Sequence, residues 1–187
     1  MTTSAPRRDL TDRKAVVTGG THGMGLGIVR ALADRGAQVL ATGRNQDNVQ
    51  KANSEFEGNG EVRFVGSDAG SLTEIAELAD TVDEHLGDVD YLFVNHGIAE
   101  LELLPRRIRV NTVAPGFIMT PTMGVKGLTD EQRRDFVEEG NQVTPLRRAG
   151  TVGEIAQAAL FLAVEATFTT GAEIPVDGGY AQGLVTT

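Results

Sequence analysis

Three glycines spaced Gly19-x-x-x-Gly23-x-Gly25 are the residues of this chain best placed to do chemistry. The apolar run Val16-Val17-Thr18 enters them, and the helical pattern Leu26 to Arg35 follows. A strand, a tight turn and a helix start in that order turn unpaired backbone N–H groups and the positive end of a helix dipole toward one point. Glycines let an anionic group approach that backbone closely, so the chemistry on offer is the holding of a phosphate. Taken alone, the turn also fits any glycine-rich turn of an α/β protein. Other reactive types are sparse. The chain has no cysteine, which excludes thiolate metal sites, cysteine nucleophiles and disulfides. His22, His85 and His96 lack metal-ligand spacing. Asp88 and Asp90 flank a strand start and read as solvated, and His85, late in a helix, as a surface residue.

The whole chain sets the frame for that turn. Its 187 residues predict one domain, and 40% apolar residues suffice for a core. A net charge of −9 and a pI of about 4.8 argue against nucleic acid and anionic membranes as partners. Arg106, Arg107 and Arg109 are too few to make a nucleic-acid patch on so acidic a chain. No apolar run is long enough to span a membrane, and no apolar block follows Arg7 and Arg8. A cytoplasmic protein is expected.

The elements that must position the turn alternate β and α. Residues 1–12 read as a polar arm. Strands are expected at Lys14–Thr18, Gln38–Thr42, Glu61–Val65 and Tyr91–Val94, the last entering Asn95-His96-Gly97. Gly36 stops the first helix, and Asn45 caps a second that reaches about Phe56. Ser71 and Glu74 form a capping box before Ile75, Leu78, Ala79, Val82 and Leu86, with Gly87 as the stop. This pattern implies a parallel sheet with helices on both faces and a ligand at the strand C-termini. Further on, Arg107 to Val113 reads as a strand ending at Ala114-Pro115-Gly116. Thr129 and Gln132 open a charged helix to about Glu139. Thr151 and Glu154 open another, with Ile155, Ala158, Ala159 and Leu162 as its apolar face. Ala172–Val176 reads as the last strand, closed by Asp177-Gly178-Gly179.

Four stretches together resemble the classical short-chain dehydrogenase/reductase family. Thr18-Gly19-x-x-x-Gly23-x-Gly25 is similar to its glycine motif. Asn95-His96-Gly97 is similar to its Asn-Ala-Gly, with His96 in place of alanine. Arg109 to Gly116 is similar to the segment entering its sixth strand and Pro-Gly. Thr169 to Gly179 is similar to its last strand. The resemblance covers nearly the whole chain. It implies a Rossmann-type, doubly wound parallel sheet in three αβα layers, binding a nicotinamide dinucleotide. Gly19, Gly23 and Gly25 would lie under the pyrophosphate, with Thr21, His22 and Met24 in the same turn. Asp68, followed by Ala69, stands where the family contacts the adenine ring. Asn95 and Gly97 would line the cofactor. Pro115, Gly116 and Ile118 stand where the nicotinamide carboxamide is held, and Thr120 matches a threonine near the phosphates. His96 would touch substrate or, as a histidine without a partner, fill the space of the alanine; the second is favoured. Residues 117–149 correspond to the substrate-covering lid. There Met119, Met123 and Phe136 either face a hydrophobic substrate or pack in the core.

The end of the second strand chooses the cofactor. An acidic residue there would bind a ribose 2′-hydroxyl, whereas arginine accommodates a 2′-phosphate. Gly43 occupies the acidic slot, and Arg44 and Asn45 follow, which favours NADP(H) over NAD(H).

The family's proton chemistry uses a tyrosine, a lysine four residues later, a serine and an asparagine. Four residues after Tyr91 stands Asn95, and four after Tyr180 stands Leu184. The last serine is Ser71. No residue of this chain is therefore assigned a catalytic role. The gap lies between residues 98 and 106, where the family carries a helix, a fifth strand and the helix bearing Tyr and Lys. At roughly 30 residues per βαβ unit, about 60 residues are absent. A parallel crossover needs about a dozen residues, more than the gap holds. A missing central strand would leave its neighbours about 10 Å apart. A chain of this shape is expected to fold poorly by itself. Three accounts are open: joined segments of a longer enzyme, a deletion, or a short form that binds cofactor without catalysis. The match on both sides of the gap favours the first. The function expected is hydride transfer between NADP(H) and a carbonyl or alcohol, absent from the chain as it stands; the alternative is a non-catalytic dinucleotide-binding or scaffold protein. The family usually forms dimers or tetramers. One interface uses the absent helices, and the other uses the last strand and the helix before it, which remain.

Overall fold

The computed structural model describes residues 9–94, 106–121, 127 and 129–181. The chain divides into two compact units, Met1–Ile98 and Ala99–Thr187.

The first unit runs β1 (Lys14–Thr18), α1 (Gly23–Ala33), β2 (Gln38–Gly43), α2 (Gln46–Glu55), β3 (Val62–Gly66), α3 (Leu72–His85) and β4 (Tyr91–Val94). Its sheet has the order β3-β2-β1-β4, and every pairing is parallel. Val16 and Leu40 are register partners and share a face, which Leu86 and the α3 residues Leu78 and Val82 cover. Ala41, one residue on, turns the other way, toward Gly20 and Val29 of α1. Consecutive apolar residues in β1 and β2 are therefore all buried, as a sheet covered on both faces requires. Asn45 caps α2 by accepting Asn48 N–H at 3.0 Å, and Ser71 caps α3 by accepting Glu74 N–H at 3.3 Å.

Three expectations for this unit change. Leu10, within the stretch read as a polar arm, is fully buried, and its N–H bonds Arg35 O at 2.7 Å. Asp90 is not merely solvated. Its carboxylate accepts Arg13 Nη1 at 2.8 Å and the Lys14 backbone N–H at 2.9 Å, which ties the entry of β4 to that of β1. The Glu74 carboxylate does not return to Ser71, so the expected capping box closes on one side only.

The second unit runs β5 (Thr112–Pro115), β6 (Ile118–Met119), α4 (Asp130–Val143), β7 (Gly150–Thr151), α5 (Val152–Leu160) and β8 (Glu173–Val176). β5 pairs in parallel with β8, and β6 with β7. Both helices open with complete capping boxes, Thr129 with Gln132 and Thr151 with Glu154. The strand expected from Arg107 starts only at Thr112. Arg107 has φ 60°, which breaks an extended run, and Arg109 and Asn111 hold the chain sideways. Arg109 donates to the carbonyls of Leu162, Ala166 and Thr169 at 2.8 to 3.0 Å and to Ala163 O at 2.6 Å. Asn111 donates to Thr169 O at 3.0 Å and accepts Ala172 N–H at 3.1 Å. α5 runs into a π-helical turn, Phe161–Glu165. Ile155, Ala156, Leu160, Leu162 and Val164 are buried, whereas Ala158 and Ala159 are half-buried.

The parallel sheet with flanking helices is an α/β, Rossmann-like fold. Among the described residues no strand lies between β4 and β5. No described helix is long and apolar enough to cross a membrane.

Candidate dinucleotide site

In the first unit the register brings all four strand C-termini to one edge. Thr18 stands opposite Val94, and Gly43 opposite Gly66. The turn between β1 and α1 is built on two glycines in the left-handed region, Gly19 at φ 66° and Gly23 at φ 55°. Gly25 has a different reason. A Cβ there would stand 2.1 Å from Gly19 O, so only glycine lets the helix start so close beneath the turn. His22, exposed and extended, is the N-cap of α1 and makes no side-chain cap. The first turn of α1 also carries no acidic residue, so no carboxylate competes for a phosphate there. The turn is anchored to β2: Gly20 N–H bonds Thr42 O at 2.8 Å, and Gly19 N–H reaches Thr42 Oγ1 at 3.4 Å. Sequence reasoning missed Gly20 and Thr42. A Cβ at Gly20 would meet Ala41 Cβ at 2.7 Å, a constraint that exists only once β2 lies beside the turn.

The buried Thr21 side chain fills the space beside Gly43. A Cβ at Gly43 would stand 2.4 Å from Thr21 Oγ1 and 2.5 Å from its Cγ2. The slot that would carry a ribose-binding acid is therefore closed to any side chain while Thr21 keeps its place. Arg44 is exposed beyond it and makes no hydrogen bond or ion pair among the described residues. The Asn45 carboxamide oxygen is occupied by Asn48 N–H, which makes it a helix cap. Asp68 follows β3, half-buried, with Ala69 exposed next to it. Its Oδ1 accepts Gly70 N–H at 2.9 Å, and Ser67 N–H ties the loop to Gly43 O at 3.2 Å. Gly19, Thr21, His22, Gly23, Met24, Gly43, Arg44, Asn45, Asp68 and Ala69 thus share one sheet edge. Asn95, His96 and Gly97 continue from β4 but lie outside the described residues.

The second unit carries the remaining expected residues. Pro115 ends β5, and Gly116 N–H bonds Val176 O at 3.1 Å. A Cβ at Gly116 would lie 2.5 Å from Asp177 Cα, so the close crossing of two backbones dictates the glycine. The Asp177 carboxylate accepts Ala181 N–H at 2.7 Å and Gly179 N–H at 2.8 Å, and these bonds hold its pKa below the usual carboxylate range. Ile118 is buried, and a Cβ at Gly150 would sit 2.7 Å from its Cδ1. Ile118 therefore has its backbone, not its side chain, to offer a cofactor. Thr120 is half-buried. A cavity of about 500 Å³ opens in this unit between Phe117, Thr144, Leu146, Val176 and Gly178. Arg148 at its wall bonds Glu154 Oε1 at 2.6 Å. Arg148 and then the Thr151 N–H and hydroxyl lower the Glu154 pKa to about 2. Of the lid residues expected to face substrate, Phe136 packs edge-on against Phe117 with ring centres 5.6 Å apart, and Met119 is exposed. Met123 lies outside the described residues.

A nicotinamide dinucleotide fits the first unit's edge on the chemistry of its groups: a glycine cradle over an uncapped helix start, and an unpaired arginine beside a blocked acidic slot. The described tyrosines stand at the start of β4 and within the turn that follows β8, and neither is followed four residues later by a lysine.

Residues 13–102 match the family model described as short chain dehydrogenase, and residues 100–181 match the one described as Enoyl-(Acyl carrier protein) reductase. An NADP-dependent (R)-specific alcohol dehydrogenase of Lentilactobacillus kefiri is 26% identical over 250 positions, which take in 91% of this chain and 97% of the relative. A 3-oxoacyl-acyl-carrier-protein reductase of Chlamydia muridarum is 26% identical over 253 positions, 92% of this chain and 98% of the relative. A galactitol 2-dehydrogenase (L-tagatose-forming) of Cereibacter sphaeroides is 36% identical over 124 positions, 66% of this chain and 46% of the relative. In the first of these, 91% of 187 residues is about 170, so about 80 of the 250 aligned positions have no residue of this chain opposite them. The two successive family matches, which together run from residue 13 to residue 181, and the order of the motifs along the sequence place this chain in the short-chain dehydrogenase/reductase family of oxidoreductases.

Proposed function

We propose that the first unit binds NADP(H) in preference to NAD(H), and that the 187-residue chain holds this cofactor without reducing carbonyl substrates. The observation that carries the cofactor choice is the closed slot at Gly43. With Thr21 Oγ1 only 2.4 Å from where a Cβ would stand, no carboxylate can be offered to a ribose 2′-hydroxyl there. Arg44 is the next residue and is free to pair with a 2′-phosphate in a charge-assisted, two-pronged contact. Gly19 and Gly23 shape the turn, Gly25 lets the helix start approach, and the uncapped N–H groups of α1 orient the pyrophosphate. Asp68, half-buried just past β3, accepts from the adenine end. When bound, the cofactor supplies a hydride; the protein supplies orientation. What no residue here supplies is the proton, because neither Tyr91 nor Tyr180 is followed four residues later by the lysine that would activate it. The aligned positions that relatives carry and this chain lacks support the same reading. The alternative, a dinucleotide-binding or scaffold protein, differs in what the binding serves. β8 and α5 remain available for a homodimer, and the acidic, cysteine-free composition supports a cytoplasmic location.

Calorimetric titration tests the reading. NADPH is expected to bind about tenfold or more tightly than NADH, and Arg44→Glu to remove that preference. Tighter binding of NADH by the unaltered chain overturns the cofactor choice. NADPH consumption on a panel of simple ketones and aldehydes is expected to stay at the background rate; turnover overturns the second half.

A further inference from the structure

The start of α3 departs from the arrangement its sequence pattern foretells, and the departure falls on the dinucleotide edge. Ser71 Oγ accepts Glu74 N–H, as in a capping box. The Glu74 carboxylate, however, reaches past Ser71, and its Oε2 accepts the backbone N–H of Asp68 at 2.8 Å. Ser71 N–H bonds Asp68 O at 3.0 Å, and Gly70 N–H bonds Asp68 Oδ1 at 2.9 Å. Three atoms of Asp68 are thus held, while Oδ2 has no partner among the described residues. One residue earlier, Ser67 N–H is tied to Gly43 O, so among the described residues Glu74 is the only partner of the Asp68 N–H and the one that ties Asp68 to the body of α3. A bond to a carboxylate is among the stronger ones, and it lies where the dipole of α3 favours negative charge.

We infer that Glu74 is a positioning residue for the adenine end of the cofactor: by holding Asp68 N–H, it fixes the loop from which Asp68 Oδ2 accepts the adenine amino group. Glu74 itself touches no cofactor. The inference rests on the dinucleotide reading above. It makes recognition of the base depend on a side chain six residues away in the sequence.

Titration of the 187-residue chain with NADPH and with its hypoxanthine analogue, which has no amino group, separates positioning from general loosening. The unaltered chain is expected to favour NADPH about tenfold. Glu74→Ala is expected to erase that preference, and Glu74→Gln, which keeps an acceptor oxygen, to restore most of it. Glu74→Asp keeps the charge at the helix start but falls short of Asp68, and is expected to behave as Glu74→Ala; it carries the test if the alanine variant does not fold. An unaltered preference in Glu74→Asp, an equal loss of both ligands, or no preference in the unaltered chain overturns the inference. Failure of the unaltered chain to bind either NADPH or NADH overturns the dinucleotide reading instead.

Discussion

Replacing Gly25 by alanine sets two effects of opposite sign against each other. In an open helix the change gains about 1 kcal/mol, because alanine has less backbone freedom to lose. Here the new Cβ would stand 2.1 Å from Gly19 O and 2.9 Å from Gly19 C. Both neighbours are backbone, so neither can rotate away, and the Gly19 turn is itself fastened to Thr42. Overpacking of this kind costs about 1–3 kcal/mol where side chains can give, and the upper end applies where they cannot. The net expectation is a loss of about 2 kcal/mol. With a urea slope of about 1–3 kcal/mol per molar, the midpoint should fall by about 1 M. The displaced turn should also lose NADPH binding. Gly153→Ala is the control, since its Cβ would meet only Thr151 Oγ1 at 3.8 Å, an ordinary contact. That variant should be neutral or slightly more stable. Urea unfolding followed by circular dichroism reads both. A Gly25→Ala midpoint equal to or above that of the unaltered chain would refute the claim that close approach dictates this glycine.

Two further outcomes follow from the second unit. The Glu154 carboxyl has a folded pKa of about 2 against 4.5 for the free group, so its contribution to stability is complete above pH 4.5 and is lost as pH falls toward 2. Glu154→Gln should therefore show a shallower loss of urea midpoint across that window than the unaltered chain, and parallel curves would contradict the assignment. Arg109→Ala strips a donor from four carbonyls around the π-helical turn and should lower stability by about 2–3 kcal/mol. Arg109→Lys, with a point charge in place of a planar fork, should recover less than half of that, as read by urea unfolding of both variants beside the unaltered chain.

What was legible in the sequence was local. β1 and β4 carry the expected bounds, because short apolar runs between turn residues leave few alternatives. Asn45, Thr129 and Thr151 cap the helices they were expected to cap, since a cap is an interaction over three residues. Misreadings arose where a distant segment intervened. The stretch from Arg107 looks extended, but the guanidinium of Arg109 is claimed by carbonyls more than fifty residues on, and the ladder begins late. Glu74 satisfied a local motif on paper, yet Asp68 offered a free N–H within reach. Asp90 looked solvated because Arg13 is 77 residues away in the chain.

The sequence by itself determined the family, the glycine turn, the arginine after the second strand and the missing Tyr-x-x-x-Lys. All of these are matters of residue identity and order. Only the tertiary structure decided why Gly43 is glycine, which carboxylate holds Asp68, and that the stretch before β5 is bound sideways. Each of these depends on two segments meeting in space: Thr21 against the end of β2, α3 against the exit of β3, and Arg109 against the carbonyls beyond α5.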